Sequence, residues 1–342
     1  MSYPFDMNLL WYVLVGILFT GYAILDGFDL GVGMHLLSVQ KDLDRRILLN
    51  AIGPVWDGNE VWLVVGGGAL FAAFPNVYAT AFSGFYLPFM LLLVALIFRA
   101  VAIEFRSKEE SPRWRQGWDV SFCIASYIIA GLMGVALGNV VLGVPIAPDG
   151  EYAGAFFNLL NPYALICGGT AIALFRMHGA IYLVMKTDGD LNALAQKWVK
   201  SGIIGFGVAY GMLSIATFVQ APWMAERLRA NPWAILLPLG AFLSIANIPR
   251  EMSRGQTMRT FLSSAGAMAG MLALVGAGLF PNLLPSSTGA ERSLTAYNSS
   301  ASLATLNLMT TITIIGLPFV LTYTIAIYTV FRGKVDPNHL HY

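Results

Sequence analysis

Gly53-Pro54-Val55-Trp56-Asp57-Gly58-Asn59-Glu60-Val61-Trp62 lies inside an otherwise apolar run that extends over residues 51–74. A helix here crosses a membrane while carrying two acids, an amide and two tryptophans. Asp57 and Glu60 are three residues apart, so on one helix they project from the same face, one turn displaced. An aspartate at the bilayer centre costs roughly 2.5–3.5 kcal/mol. That face is therefore expected to meet a protein partner, a water-filled cavity or a protonation task, and not lipid.

Composition sets the class. Of the 342 residues, 57% are hydrophobic and 11% charged, against about 25% charged in a soluble domain. The chain reads as an all-α polytopic membrane protein. Twenty Lys/Arg balance nineteen Asp/Glu without a basic tract, so nothing suggests nucleic acid. Cys123 and Cys167 lie in separate apolar runs without a C-x-x-C pair and read as small packing residues. The opening residues lack a basic n-region, so the first apolar run reads as a retained span and not a cleaved signal.

A helical span needs about 20 apolar residues. Runs of that kind fall near 9–37, 51–74, 78–103, 119–142, 162–185, 201–221, 233–248, 261–280 and 303–331, which predicts nine transmembrane helices. The seventh is short and flanked or interrupted by Pro232, Pro238 and Pro249; Pro318 is expected to kink the ninth. Alternate connections hold Lys41, Arg45 and Arg46; Arg106, Lys108, Arg113 and Arg115; Lys186, Lys197 and Lys200; Arg250, Arg254 and Arg259; and Arg332 and Lys334. Those are fifteen of the twenty basic residues. The intervening connections carry only Arg227, Arg229 and Arg292, while Arg99 and Arg176 fall within spans. The positive-inside rule then puts the N-terminus outside and the C-terminus in the cytoplasm, which an odd number of spans satisfies. No connection is long enough for a separate domain, so residues 1–342 read as a single membrane unit.

In the first span Asp26 and Asp29 share a face, with Gly27 and Gly31 four apart beside it, where another backbone can approach closely. On the predicted orientation the second helix enters from the cytoplasm near Ile47, so Asp57 lies ten residues, about 15 Å, in. Asp29, Asp26, Asp57 and Glu60 then form a ladder from the cytoplasm toward mid-membrane. The alternative is that these acids pair with Arg99 or with backbone donors and only fix packing, or that Asp26 and Asp29 reach interfacial water. Arg99 has two readings: it snorkels to the interface, or it is the counter-ion of the first-span acids. His178 reads as a hydrogen-bonded core residue; paired intramembrane haem ligands are lacking, so the chain is not expected to hold a haem or a metal by itself. Trp56 and Trp62 are too deep for interfacial belt aromatics and either pack the core or abut a large flat cofactor.

Several segments together resemble one family. Asp26-Gly27-Phe28-Asp29-Leu30-Gly31-Val32-Gly33, Trp56-Asp57-Gly58-Asn59-Glu60-Val61-Trp62-Leu63, Gly67-Gly68-Ala69-Leu70-Phe71-Ala72-Ala73-Phe74-Pro75 and Phe98-Arg99 with Glu104-Phe105-Arg106 are similar to subunit II of the cytochrome bd-type quinol oxidases. Gly138-Asn139, His178-Gly179-Ala180 and residues 281–307 agree with this, so the resemblance covers nearly the whole chain. It implies a nine-helix, haem-free subunit of the bacterial cytoplasmic (inner) membrane, paired with a subunit I that carries three haems, two b-type and one d- or b-type, and the quinol site. It further implies a cytoplasmic proton route in which Asp57 is central and Asp26 and Asp29 lie near its entrance or at the interface. Trp56, Asn59, Trp62, Arg99 and His178 would support the side facing the haem subunit. Position 60 is Glu here and Gln in some relatives. Some members hold a quinone in this subunit as a structural ligand, and small single-helix subunits often attach; the connection over residues 220–233 is much shorter here than in some members.

Two other readings remain open at this level. A proton- or cation-coupled secondary transporter would use the same acids, although neither a repeat nor paired broken helices is visible. A purely scaffolding subunit would use them for assembly alone.

Overall fold

The computed structural model describes residues 5–229 and 235–341. Asp6 sets the start of α1 (Met7–His35), its carboxylate accepting from the backbone N–H groups of Asn8 at 2.9 Å and Leu9 at 3.2 Å. These are donors that a helix start leaves open.

The next span is not one helix. α2 (Asp42–Ile52) stops before Gly53 and α3 (Trp56–Ala73) starts after Val55. Pro54 has no N–H for the carbonyl four residues back, and its ring crowds that carbonyl. Gly53 and Val55 instead donate to Leu49 O and Ile52 O, each at 2.8 Å, and the Tyr182 hydroxyl donates to Ala51 O at 2.9 Å. The depth of Asp57 therefore cannot be counted along one axis from Ile47, because Asp57 belongs to the first turn of a separate helix. The third expected span is likewise divided, into α4 (Pro75–Gly84) and α5 (Tyr86–Phe105), which meet at Phe85.

The chain continues as α6 (Pro112–Leu142), α7 (Pro162–Lys186), α8 (Gly189–Gln220), the short α9 (Pro222–Arg229), α10 (Leu236–Ser253), α11 (Thr257–Leu279) and α12 (Leu303–Val330). Pro112 and Pro162 stand in first turns, where a missing N–H costs nothing. Seven of the described helices, α1, α5, α6, α7, α8, α11 and α12, are long and apolar enough to cross a membrane. The other two expected spans correspond to α3 and α10, at 18 residues each. Asp57, Asn59 and Glu60 dilute the first; Asn247, Arg250 and Glu251 dilute the second. Residues 233 and 234 of the expected seventh span, with Pro232 and the end of the connection over residues 220–233, lie outside the described residues.

Isolated bridges link Val144 with Ser286 and Ile146 with Tyr152, and a short pair of strands lies between α11 and α12. There β1 (Asn282–Leu284) pairs antiparallel with β2 (Leu294–Thr295), Asn282 opposite Thr295 and Leu284 opposite Leu294.

Helix α1 is the axis of the bundle, packing on α3, α6, α7 and α11. Lipid tails are as apolar as leucine, so close packing and internal polar links, not water exclusion, gather such helices. Gly31 supplies the closest approach: its α-carbon abuts the backbone of Gly179 and the carbonyl of Phe175 in α7. Gly134 and Gly138 of α6 do the same against α7 at Gly168 and Ala164. Around them Phe28, Leu30, Val32 and Leu36 are fully buried, and Phe28 stacks on Tyr182 with ring centroids 4.0 Å apart. Cys123 and Cys167 are both buried and free.

At the C-terminal end of α1 a charged network ties α2 to α5 and α6. Arg106 donates to Asp119 at 2.5 and 3.2 Å and to Asp42 at 2.7 Å. Arg45 reaches Asp119, and Arg115 reaches Asp42, each at 3.0 Å. The tail crosses the same end: Lys334 pairs with Asp188, Val335 N donates to Lys186 O, and His341 N donates to Asn50 at 2.8 Å.

Candidate functional site

Four helices bring polar groups to one buried point. α1 contributes Asp26 and Asp29 because residues three apart share a face; α3 contributes Asn59 and Glu60, α5 Arg99, and α12 Tyr328. Arg99 donates through Nη1 to Asp26 Oδ2 at 2.7 Å and through Nη2 to Asp26 Oδ1, a bidentate fork. Both side chains have 0% exposure. The guanidinium also stands 4.0 Å from Asp29 Oδ2 and 3.9 Å from Glu60 Oε2. Arg99 is thus the counter-ion of the first-helix acids and does not snorkel, since its whole side chain is enclosed. Asp26 and Asp29 do not reach interfacial water, because both are 0% exposed.

Asn59 is 3% exposed. It donates to Asp29 Oδ2 at 2.8 Å and to the Leu25 carbonyl at 3.3 Å, and accepts from the Tyr328 hydroxyl at 2.8 Å. Asp29 Oδ1 and Arg99 Nε are buried with no hydrogen-bond partner among the described residues.

Asp57 and Glu60 are treated unequally, although they are one turn apart. The Glu60 side chain is 23% exposed and leans toward Arg99; Asp57 is exposed on the chain's own surface and makes no hydrogen bond or ion pair among the described residues. Exposure therefore falls in steps from Asp57 through Glu60 to Asp29 and Asp26. One guanidinium faces three carboxyls within about 4 Å. Asp26 takes the bidentate pair, and leaving further carboxylates ionised beside it would bury charge without full compensation.

Trp56 packs in the core and Trp62 lies beside α1. Trp56 is 7% exposed, and the half-buried ring of Trp62 lies over Gly21 of α1, where a Cβ would collide with it. Tyr328 was not singled out in the sequence; a tyrosine near the end of a span is ordinary, and only the fold brings it to Asn59. Asp42 and Asp119 of the charged network were missed for the same reason.

A profile of the family described as cytochrome bd terminal oxidase subunit II matches residues 7–331. The chain belongs to this family. It is 37% identical to cytochrome bd-I ubiquinol oxidase subunit 2 of Escherichia coli K12, covering 98% of this chain and 96% of that one. It is 36% identical to cytochrome bd ubiquinol oxidase subunit 2 of Bacillus subtilis, covering 97% of each. A solved bd oxidase from Geobacillus thermodenitrificans shares the fold, with TM-score 0.79 over 95% of this chain and 98% of that chain at 16% identity. As a cytochrome bd subunit II protein, the chain is a multi-pass component of a terminal oxidase, an oxidoreductase complex of the bacterial inner membrane.

Two histidines of this subunit II chain, His178 and His35, are buried among its helices. His178 is fully buried, its Nε2 donating to the Ile24 carbonyl at 3.1 Å and its Nδ1 2.7 Å from Ser264 Oγ. The Nε2 of His35 is 3.0 Å from Arg176 O and its ring is stacked on Trp198. His339 pairs with Asp336 in the tail. Among the described residues no group of three His, Cys, Asp or Glu is disposed to hold a metal ion.

Proposed function

We propose that this chain is the haem-free second subunit of a quinol oxidase, supporting a haem-bearing subunit I and giving protons a way inward from the cytoplasm. In that complex quinol is oxidised, oxygen is reduced to water, and subunit I carries the three haems. The chain folds as one unit of nine spans, α3 and α10 included, with its N-terminus outside and its C-terminus in the cytoplasm. The basic residues of α2, of the α5–α6 connection and of the tail support that orientation.

The observation that carries the reading is the graded series of carboxyls. Asp57 is exposed, Glu60 is partly covered, and Asp29 and Asp26 are enclosed around the cation Arg99. A proton taken up at the exposed member passes to groups that cannot all stay ionised together. Asp57 is the entry, Glu60 the step between, and Asp29 the inner holder, with Asp26 held in the Arg99 fork. Trp56, Trp62 and His178 hold the helices in register around them. A structural quinone and a small single-helix accessory subunit fit the same family reading and call on no further residue of this chain.

The test is Asp57→Asn in the assembled oxidase. Quinol:oxygen turnover should fall at least about a hundredfold, the low end of a general acid–base contribution, with haem spectra unchanged. Unchanged turnover would remove the proton role; haem loss in step with turnover would make the carboxyl a scaffold. A colourless chain that purifies alone and moves a cation would instead be a transporter.

A further inference from the structure

We propose that Tyr328, near the C-terminal end of α12, is a positioning residue for Asp29. It locks the Asn59 amide so that Asp29 Oδ2 stays occupied and Oδ1 is left as the atom that takes the proton. This inference rests on the proton-route reading above.

The amide of Asn59 meets three groups. Asp29 Oδ2 at 2.8 Å and the Leu25 carbonyl at 3.3 Å lie at one end, and the Tyr328 hydroxyl at 2.8 Å lies at the other. A carbonyl and a carboxylate only accept, so the NH2 end faces them, and the oxygen end is left for the phenol, which donates. A flipped amide would set its oxygen against two other oxygens. Tyr328 is the only group given to the Asn59 oxygen among the described residues. Without its O–H that oxygen is buried and unsatisfied, and rotation of the amide away from Asp29 becomes the way to relieve it.

The two Asp29 oxygens are thereby made unequal. Oδ2 receives Asn59 and stands 4.0 Å from Arg99, so negative charge is favoured there. Oδ1 is buried with no partner among the described residues, so its lone pairs are free for a proton. The charged and titratable groups around Asp29 are Asp26 on its own helix, Glu60 from α3, Arg99 from α5, Tyr182 from α7 and Tyr328 from α12. Of these, only Tyr328 touches the amide that holds Oδ2.

The experiment compares Tyr328→Phe, Asn59→Leu and their double variant in the complete oxidase, by turnover per haem and by infrared difference spectra of the carboxylic C=O stretch. Asp29→Asn identifies the band. Tyr328→Phe should lower turnover about three- to tenfold, as loss of one hydrogen bond does, and should shift the Asp29 band. The double variant should match Asn59→Leu alone, because one residue acts through the other. Trifluorotyrosine at position 328, a stronger donor of nearly the same shape, should shift the band the opposite way; it also decides the matter if Tyr328→Phe fails to assemble. An unmoved band in both position-328 variants, or additive losses in the double variant, overturns the positioning role and leaves the proton route standing. If Asp29→Asn removes no band and keeps full turnover, the inner part of the route itself fails.

Discussion

Gly31 of α1 and Gly179 of α7 pass backbone to backbone: a Cβ built on Gly31 would lie 2.8 Å from both the nitrogen and the α-carbon of Gly179. No methyl group fits such a gap. This crossing sits two residues beyond Asp29 and one beyond His178, so it sets the depth at which the carboxyls of α1 meet their partners.

Gly31→Ala should therefore part α1 from α7 at a cost of about 1–3 kcal/mol, the usual price of overpacking. Thermal inactivation of the solubilised complex measures it, with Gly169→Ala as the control, because open space surrounds that α-carbon. Equal inactivation temperatures for the two variants would refute the close crossing.

Replacing Arg99 should be the most damaging single change in the chain. Arg99→Leu strands Asp26 at 0% exposure without its fork, and breaking a buried pair costs about 3–5 kcal/mol. Arg99→Lys should rescue only in part, since an ammonium cannot reproduce two parallel N–H bonds. Arg99→Leu with Asp26→Asn should recover more assembled complex than Arg99→Leu alone. Chain retained in the membrane and haem per unit protein are the readouts; a double variant no better than the single would show that Asp26 is not the partner that matters.

Acid should loosen the junction of α2 with α5 and α6. Burial pushes the Asp42 carboxyl up, but the hydrogen bond and charge of Arg106, together with Arg115 and Arg46, outweigh it and hold the group below its ordinary range. A carboxyl lowered in the native state stabilises above its unfolded pKa of about 3.9, and that contribution is lost as pH falls through the lower native value. The thermal midpoint should drop below about pH 4, and Asp42→Asn should flatten this part of the profile. The side chain is 46% exposed, so the effect should also shrink with added salt. An identical acid limb in both proteins would rule the contribution out.

Local chemistry made parts of this arrangement legible in advance. Gly27 and Gly31 announced a close helix contact, and the pairing of Asp26 with Arg99 was one of two stated alternatives, because an intramembrane arginine needs either an acid or the interface. The helix break at Pro54 was not recognised, since the apolar run continues through it and a hydropathy window averages over a single proline. The unequal fates of Asp57 and Glu60 were hidden too: three-residue spacing gives a shared face, but the radial position of that face is fixed by the partners of α3. Tyr328 lies 269 residues from Asn59, a separation that local pattern cannot bridge.

The Arg99 fork with Asp26 also bears on how the protein is made. The two residues are 73 positions apart, so α1 leaves the ribosome well before its cation exists. Alone in lipid, either residue carries an insertion penalty of roughly 2.5–3.5 kcal/mol. The fork closes only once α5 has followed α1 into the bilayer, so Asp26 gains its counter-ion at a late stage of membrane integration.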